Sequence, residues 1–330
     1  MEKIVDRKWY KGDTHLHTIN SDGVLTKGQL VDYCKRKGLD FMIITDHNFN
    51  SVKESYFDKD MLVIQGQEVT GALGHVNVWG KKVPIEPPYT LDTEEDYERI
   101  LSASRAAGAT ISVNHPFDTN WPFKNDFDKF DFDCVEVWNT VQHSDNMKNR
   151  DWWVAELLKG NRIGAIGGSD FHRNYFKLGL LAMPTTVVHA EKKTEEAILQ
   201  AMREGRSVIT NSPDSTMIYM TCGRAGIGDT VKLDGAQKIE VTVTDLKAGN
   251  TVTIYNNEKP IFTYTAKTGA KTFMCCADIE EKGFVRVEVT YKLFSPVKKL
   301  YKFVESKFLD SDSGEVPEFI RAFTNPIWVE

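Results

Sequence analysis

Residues 12–18 read Gly-Asp-Thr-His-Leu-His-Thr, with two imidazoles two positions apart just past a first predicted strand. In extended backbone, residues i and i+2 project to the same side, so His15 and His17 can share one metal ion. Alone, such a pair is more often structural than functional, and its weight comes from the rest of the chain. Of the eight histidines, His15, His17, His47, His75, His115 and His172 fall at or just beyond the ends of predicted strands. Asp22, Asp46, Glu68 and Asp170 accompany them. Strand ends are where α/β barrels place their chemistry, because the loops vary there while the sheet fixes their roots. Imidazoles and carboxylates suit zinc, manganese or iron, and Glu68 has two oxygens with which to bridge two ions. Without a metal, such a cluster leaves unpaired charge and unsatisfied ring nitrogens.

Outward from this stretch, short apolar runs alternate with amphipathic segments over the first two thirds of the chain, the rhythm of strand and helix units around a parallel sheet or barrel. Thr26 is a candidate N-cap for a helix over 29–37 that puts Leu30, Val31 and Cys34 on one face, with Gly38 as its stop. Strands are predicted over 41–44, 61–64, 76–79, 110–113, 134–138, 163–166 and 207–210. Helices are predicted over 94–107, over 146–158 with a stripe of Trp153, Leu157 and Leu158, and from the cap Thr194 to Met202. After Pro213 the pattern changes to segments rich in Val, Thr and Tyr, separated by Gly, Asn and Asp. Strands over 217–221, 239–244, 251–255, 261–265 and 285–291 predict a small sandwich, and 315–322 is the one helical candidate there. The expected division is a catalytic unit over 1–212 and a β-sandwich-like accessory unit over 213–330.

Composition bounds the function. The 330 residues are 41% hydrophobic and 27% charged, the balance of a soluble globular chain, and the length suits two cores. A net charge of -6 with no long run of Lys and Arg argues against any required partnership with long nucleic acid. The N-terminus lacks the apolar centre of a secretion signal and no stretch reaches membrane-span length, so the cytoplasm is expected and no membrane partner. Five cysteines without a Cys-x-x-Cys spacing predict reduced, mostly packed thiols. Neither a Gly-x-Ser-x-Gly nucleophile nor a Walker-type phosphate loop is present.

Seven motifs then occur in order: Gly-Asp-Thr-His-Leu-His-Thr (12–18), Ser-Asp-Gly (21–23), Ile-Thr-Asp-His-Asn (44–48), Gly-Gln-Glu-Val-Thr (66–70), Gly-His-Val-Asn-Val-Trp-Gly (74–80), Val-Asn-His-Pro (113–116) and Gly-Ser-Asp-Phe-His (168–172). In these the chain resembles the polymerase and histidinol phosphatase (PHP) superfamily of metallohydrolases, over roughly residues 9–212. The resemblance implies an α/β fold, a distorted (β/α)7 barrel, with two or three divalent metal ions. It implies that His15, His17, Glu68 and Asp170 hold a first ion, Glu68 with His75 and His115 a second, and Asp22, His47 and His172 a third. Asp46 is expected to orient a metal-bound imidazole.

The implied reaction is hydrolysis by a metal-bound hydroxide, with Glu68, Asp170, His172 and Asp46 at its centre and a small phosphorylated metabolite or nucleotide as substrate. Arg173 is a candidate phosphate clamp, and Asn139 and His143, beyond the 134–138 strand, are candidate substrate contacts. One alternative is an aryl carbamate or ester hydrolase. Relatives with a following β domain resemble such enzymes, the 195–210 and 324–329 segments look like that group, and Trp121, Phe123, Trp138 and Trp152 are candidates for an apolar leaving-group pocket. A further alternative is a non-catalytic metal- or carbohydrate-binding protein, which the intact ligand set opposes. Loops 81–90 and 117–131 are expected to select the substrate.

Overall fold

The structure, a computed structural model, describes residues 6–80, 91–174, 179–293, 297–299, 301–302 and 318–330. The 81–90 loop expected at the substrate mouth lies outside the described residues. Seven strands follow one another around the N-terminal unit: β1 (Lys8–Asp13), β2 (Phe41–Ile44), β4 (Met61–Gly71), β5 (Gly74–Trp79), β6 (Thr110–Val113), β7 (Cys134–Asn139) and β8 (Gly164–Gly168). A short strand, β3 (Tyr56–Asp58), pairs with β4 from outside this order. Pairs β1/β2, β2/β4, β6/β7 and β7/β8 are parallel, while β5 runs antiparallel to both β4 and β6, and this reversal is the distortion. Just past the strands, Leu16 bridges to Phe171, and His17 N–H donates to the Phe171 carbonyl at 3.1 Å, bringing the two ends of the series together. Strands covered on both faces read as unbroken apolar runs, as Phe41-Met42-Ile43-Ile44 does, and all four residues are buried.

Helices α1 (Lys27–Arg36), α2 (Glu94–Ala106), α3 (Ser144–Leu158) and α4 (Glu195–Arg203) cover the sheet. Thr26 and Thr93 close capping boxes with Gln29 and Asp96, and Thr194 caps α4. In α3 the buried stripe is Trp153, Val154 and Leu157, whereas Leu158 is exposed, because it sits one position round from that face. Two further strands, β9 (Thr185–Ala190) and β10 (Ser207–Thr210), extend the sheet antiparallel beyond β1.

The C-terminal strands divide between two sheets. They are β11 (Met217–Cys222), β12 (Ala225–Gly226), β13 (Thr230–Val231), β14 (Lys238–Leu246), β15 (Asn250–Asn256), β16 (Lys259–Thr265), β17 (Ala270–Asp278), β18 (Gly283–Tyr291), β19 (Phe319–Thr324) and β20 (Ile327–Val329). β12, β11, β14 and β17 make a separate antiparallel sheet, and the facing layer is continuous with the barrel sheet through β19, which pairs with β10. Ile218, Val241 and Val243 pack against Val252, Val285 and Val287 between the two layers. Contrary to the helix expected over 315–322, Phe319–Thr324 is a strand, because β10 and β18 satisfy its backbone on both sides. Ile320 and Phe323 belong to the same apolar cluster as Val113, Val137 and Trp153 of the N-terminal unit. Of the cysteines, Cys34, Cys134 and Cys222 are packed, Cys276 is exposed, and none is in a disulfide. Among the described residues no helix is long and apolar enough to cross a membrane.

Candidate metal centre

The end of β1 delivers Asp13, His15 and His17, all fully buried. The Asp13 carboxylate accepts from Ser169 N–H at 3.0 Å, Ser169 Oγ at 2.5 Å and Ala182 N–H at 2.8 Å, which ties β1 to the loop after β8. His47 follows β2 and bridges to Glu68 of β4, His75 lies in β5, His115 follows β6, and Asp170 and His172 follow β8. His115 and Asp170 have φ of 28° and 48°. Left-handed backbone is unfavourable for side chains other than glycine, and such strain persists where surrounding structure fixes it, commonly at functional sites.

Three groups of candidate ligand atoms result, each with its atoms within 4.8 Å of one another: His15, His17 and Asp170; Glu68, His75 and His115; and His17, Asp22, His47 and His172. All nine residues named from the sequence as metal ligands are in these groups. His17 falls in two of them, and Glu68, which the resemblance also placed with the first ion, lies 3.2 Å from His15 Nε2 and 3.4 Å from His17 Nε2. Glu68 Oε1 also faces His75 Nδ1 at 3.2 Å, which makes this carboxylate the link between groups.

The proton positions test whether a cation fits. His15 Nδ1 lies 3.0 Å from Glu136 Oε1, and an acceptor-only carboxylate there places the ring proton on Nδ1. Nε2 is then the nitrogen that faces Glu68 Oε1 and, 3.3 Å away, Asp170 Oδ1. His172 likewise donates from Nδ1 to the Asp170 carbonyl at 2.8 Å and turns Nε2 toward Asp22 Oδ1 at 3.1 Å. His15 Nε2, His17 Nε2, Glu68 Oε2, His115 Nδ1 and Asp170 Oδ1 are buried without a hydrogen-bond partner. Ring nitrogens and carboxylate oxygens that converge in a buried space need a proton or a cation between them, and the imidazole and carboxylate set suits a multinuclear site. Without a cation, positive charge on the imidazoles takes that place: burial pushes the Glu68 and Asp170 carboxyls up, but the charged neighbouring rings outweigh it and hold both well below the usual carboxylate range.

Residues around the groups behave less uniformly. Asp46 does not orient an imidazole as expected. Its oxygens accept from Thr18 N–H at 2.6 Å, Thr18 Oγ1 at 2.7 Å, Ser21 Oγ at 2.8 Å and Ser51 Oγ, so it fixes the turn after His17. Only Ser21, 3.4 Å from His17 Nδ1, connects it to a ring. Asn139 lines the cavity and donates to Asp170 Oδ2 at 3.3 Å and to Glu136 Oε2 at 3.0 Å. His143 is buried 3.8 Å from Asp145 and is not among the cavity-lining residues. Arg173 is exposed and does not line the cavity either. Of the four aromatics, Trp121 alone lines it, while Phe123 and Trp138 are core residues and Trp152 packs against Phe117 and Phe127.

Asn114 Nδ2 donates to Glu68 Oε1 at 2.9 Å. One support, Glu136, which holds His15, escaped the sequence reading. The signal for Glu136 was an acid inside the apolar run Cys134-Val135-Glu136-Val137-Trp138. A register shift between Glu136 and Trp138 accompanies the placing of Glu136 and Asn139 in hydrogen-bond contact on one side of the strand.

No protein-family model matches the sequence. The DNA polymerase/3'-5' exonuclease PolX of Bacillus subtilis is 26% identical over 98 residues, 28% of this chain and 17% of that protein, so the match spans about a sixth of the relative's length. Among solved structures, a two-domain protein from Bacteroides vulgatus, described as containing a predicted PHP-like metal-dependent phosphoesterase, superimposes with a TM-score of 0.52 at 19% identity. That superposition covers 88% of this chain and 93% of the other. With both parts of the molecule matched and the ligand groups gathered at the strand ends, the chain has the two-domain PHP-like fold.

Proposed function

We propose that the chain is a metal-dependent hydrolase that cleaves a phosphoester of a small molecule, using two or three zinc, manganese or iron ions. The observation that carries this reading is the convergence of three ligand groups on one cavity of about 300 Å³, lined by Asp22, His47, His75, His115, Asp170 and His172 among others. Several cations side by side suit a doubly charged phosphoryl group better than a neutral carbonyl. When bound, such ions acidify a water and offset charge on the phosphoryl and leaving oxygens.

The chain's own residues supply the rest. Glu68 and Asp170 stand between the groups and hold their imidazoles at fixed spacing. Glu136 and Asn139 restrain His15 and Asp170, and Asp46 holds the turn that carries Asp22. His172, tied through Nδ1, presents Nε2 at the cavity wall. Burial of His15, His17 and Glu68 keeps bulk water from screening the centre.

The test is to determine the metals in the purified chain and then assay phosphomonoesters and nucleotides beside aryl carbamates and esters. The expected outcome is phosphoester turnover that falls at least about a hundredfold in His17→Ala, since loss of an outer support alone costs 10–100-fold in many metal sites. Turnover of carbamates alone overturns the phosphoester reading. No turnover after reconstitution with manganese, zinc and iron favours a binding protein.

A further inference from the structure

We infer that Trp121 forms a stacking subsite at the cavity mouth for a planar aromatic leaving group, an inference that rests on the phosphoester reading and narrows it. Trp121 is 64% exposed, yet it lines the cavity, and among the described residues no other large exposed apolar side chain does. Its ring lies 6.0 Å from that of the ligand residue His75 and only 23° from parallel, so the indole borders the metal centre with a broad face still in solvent.

The loop beneath it is fixed. Asp118 Oδ1 accepts from Asn120 N–H at 2.8 Å and Trp121 N–H at 2.9 Å, and Asp145 Oδ2 accepts from Thr119 N–H and Oγ1, both at 2.8 Å. Phe123 N–H donates to the Pro116 carbonyl at 2.9 Å, closing the turn. An exposed tryptophan on a preordered loop offers a ring its whole face without the entropy cost of ordering the site. Apolar packing does not explain its position, because the neighbouring Phe123 fills the core instead.

Charge points the same way. Among the described residues neither Lys nor Arg lines the cavity, so beyond the metal ions nothing there clamps a second anionic group of the substrate. Asp118, also on the lining, is an acceptor beside the indole. A planar ring carrying hydrogen-bond donors, as in a nucleoside or a substituted phenol, fits that pair, with its ester phosphoryl group reaching the ligand residues.

The test uses the full manganese-loaded chain, its Trp121→Phe and Trp121→Ala variants, and four substrates: adenosine monophosphate, phenyl phosphate, glycerol 1-phosphate and phosphoethanolamine. Adenosine binding, followed by calorimetry, gives a readout independent of turnover. In Trp121→Ala, KM for the two aromatic substrates and the adenosine Kd are expected to rise about tenfold, with kcat nearly unchanged, as loss of base stacking on an aromatic side chain commonly does. Trp121→Phe retains most of the affinity, and glycerol 1-phosphate is unaffected. A preference for adenosine monophosphate over phenyl phosphate assigns the ring to a nucleoside, and the reverse to a simple aryl group.

Equal handling of all four substrates by wild type and Trp121→Ala overturns the subsite and leaves the phosphoester reading standing. No phosphoester turnover with Trp121-dependent adenosine binding overturns the reading and keeps the stacking site. Absence of both overturns both. A loss confined to phosphoethanolamine reassigns Trp121 and Asp118 to an ammonium group and overturns the planar assignment.

Discussion

One proton on His15 decides what the centre can hold. Glu136 keeps it on Nδ1, so Nε2, which faces Glu68 and Asp170, is the nitrogen left to give up its proton to a bound cation. In Glu136→Ala, nothing fixes the ring's tautomer or its angle, and metal affinity is expected to fall about 10–100-fold, the usual cost of losing a carboxylate behind a ligating imidazole. Glu136→Gln keeps a carbonyl acceptor and is expected to lose less. Chelator competition measures both, and unchanged affinity in Glu136→Ala would remove Glu136 from the centre. The residues of the three groups were legible as candidate ligands because each stands in a short polar motif at a strand end. Glu136 was not, because its role depends on a register shift that alternation of side chains does not encode. Asp46 was misread for the opposite reason: its place beside His47 in sequence suggested a ring partner, while the fold surrounds it with hydroxyl and backbone donors.

At the scale of elements, helices α1, α2 and α4 were legible because caps and apolar spacing are local. Strands whose partners lie far away were harder. Thr185–Ala190 holds β1 to β10, yet its six residues give little periodicity of their own, and Phe319–Thr324 resembled a helix until its two neighbours claimed its backbone. The same long-range pairing brings Glu288 of β18 against Arg150 of α3, at 3.0 Å, and against Arg286. Burial pushes the Glu288 carboxyl up, but the charges of Arg286 and Arg150 overcome this and hold it below its usual range. With the folded pKa depressed, the stabilisation is complete above the unfolded glutamate value of about 4.3 and is lost as pH falls through the lower folded value. Glu288→Gln removes the buried countercharge of Arg286 and one of the two acids that face Arg150, and is expected to cost about 3 kcal/mol at pH 7. Thermal melts from pH 7 to 3 check this: the gap between wild type and variant should close at the acid end, and a constant gap would show that lost packing is the cause.

For the whole molecule, the ligand groups and the shared sheet bear on the same transition. The candidate ligands span residues 15 to 172, so a bound ion links segments that the unfolded chain holds far apart. Binding to the folded state alone adds about 2.7 kcal/mol when free metal stands at 100 times its Kd. The C-terminal strands share an apolar cluster with the N-terminal unit, where Trp153 and Phe323 lie with ring centroids 5.8 Å apart, and they share the β10–β19 ladder. A chelator is therefore expected to lower the melting temperature of the entire chain in one calorimetric transition, and added manganese or zinc to restore it. His17→Ala combined with Glu68→Ala removes a residue from each of the three groups and should make the melt insensitive to either treatment. If the chelator instead split the melt into a metal-sensitive and a metal-insensitive step, the β10–β19 ladder would not couple the two parts, and the C-terminal strands would hold their own fold once the centre is lost.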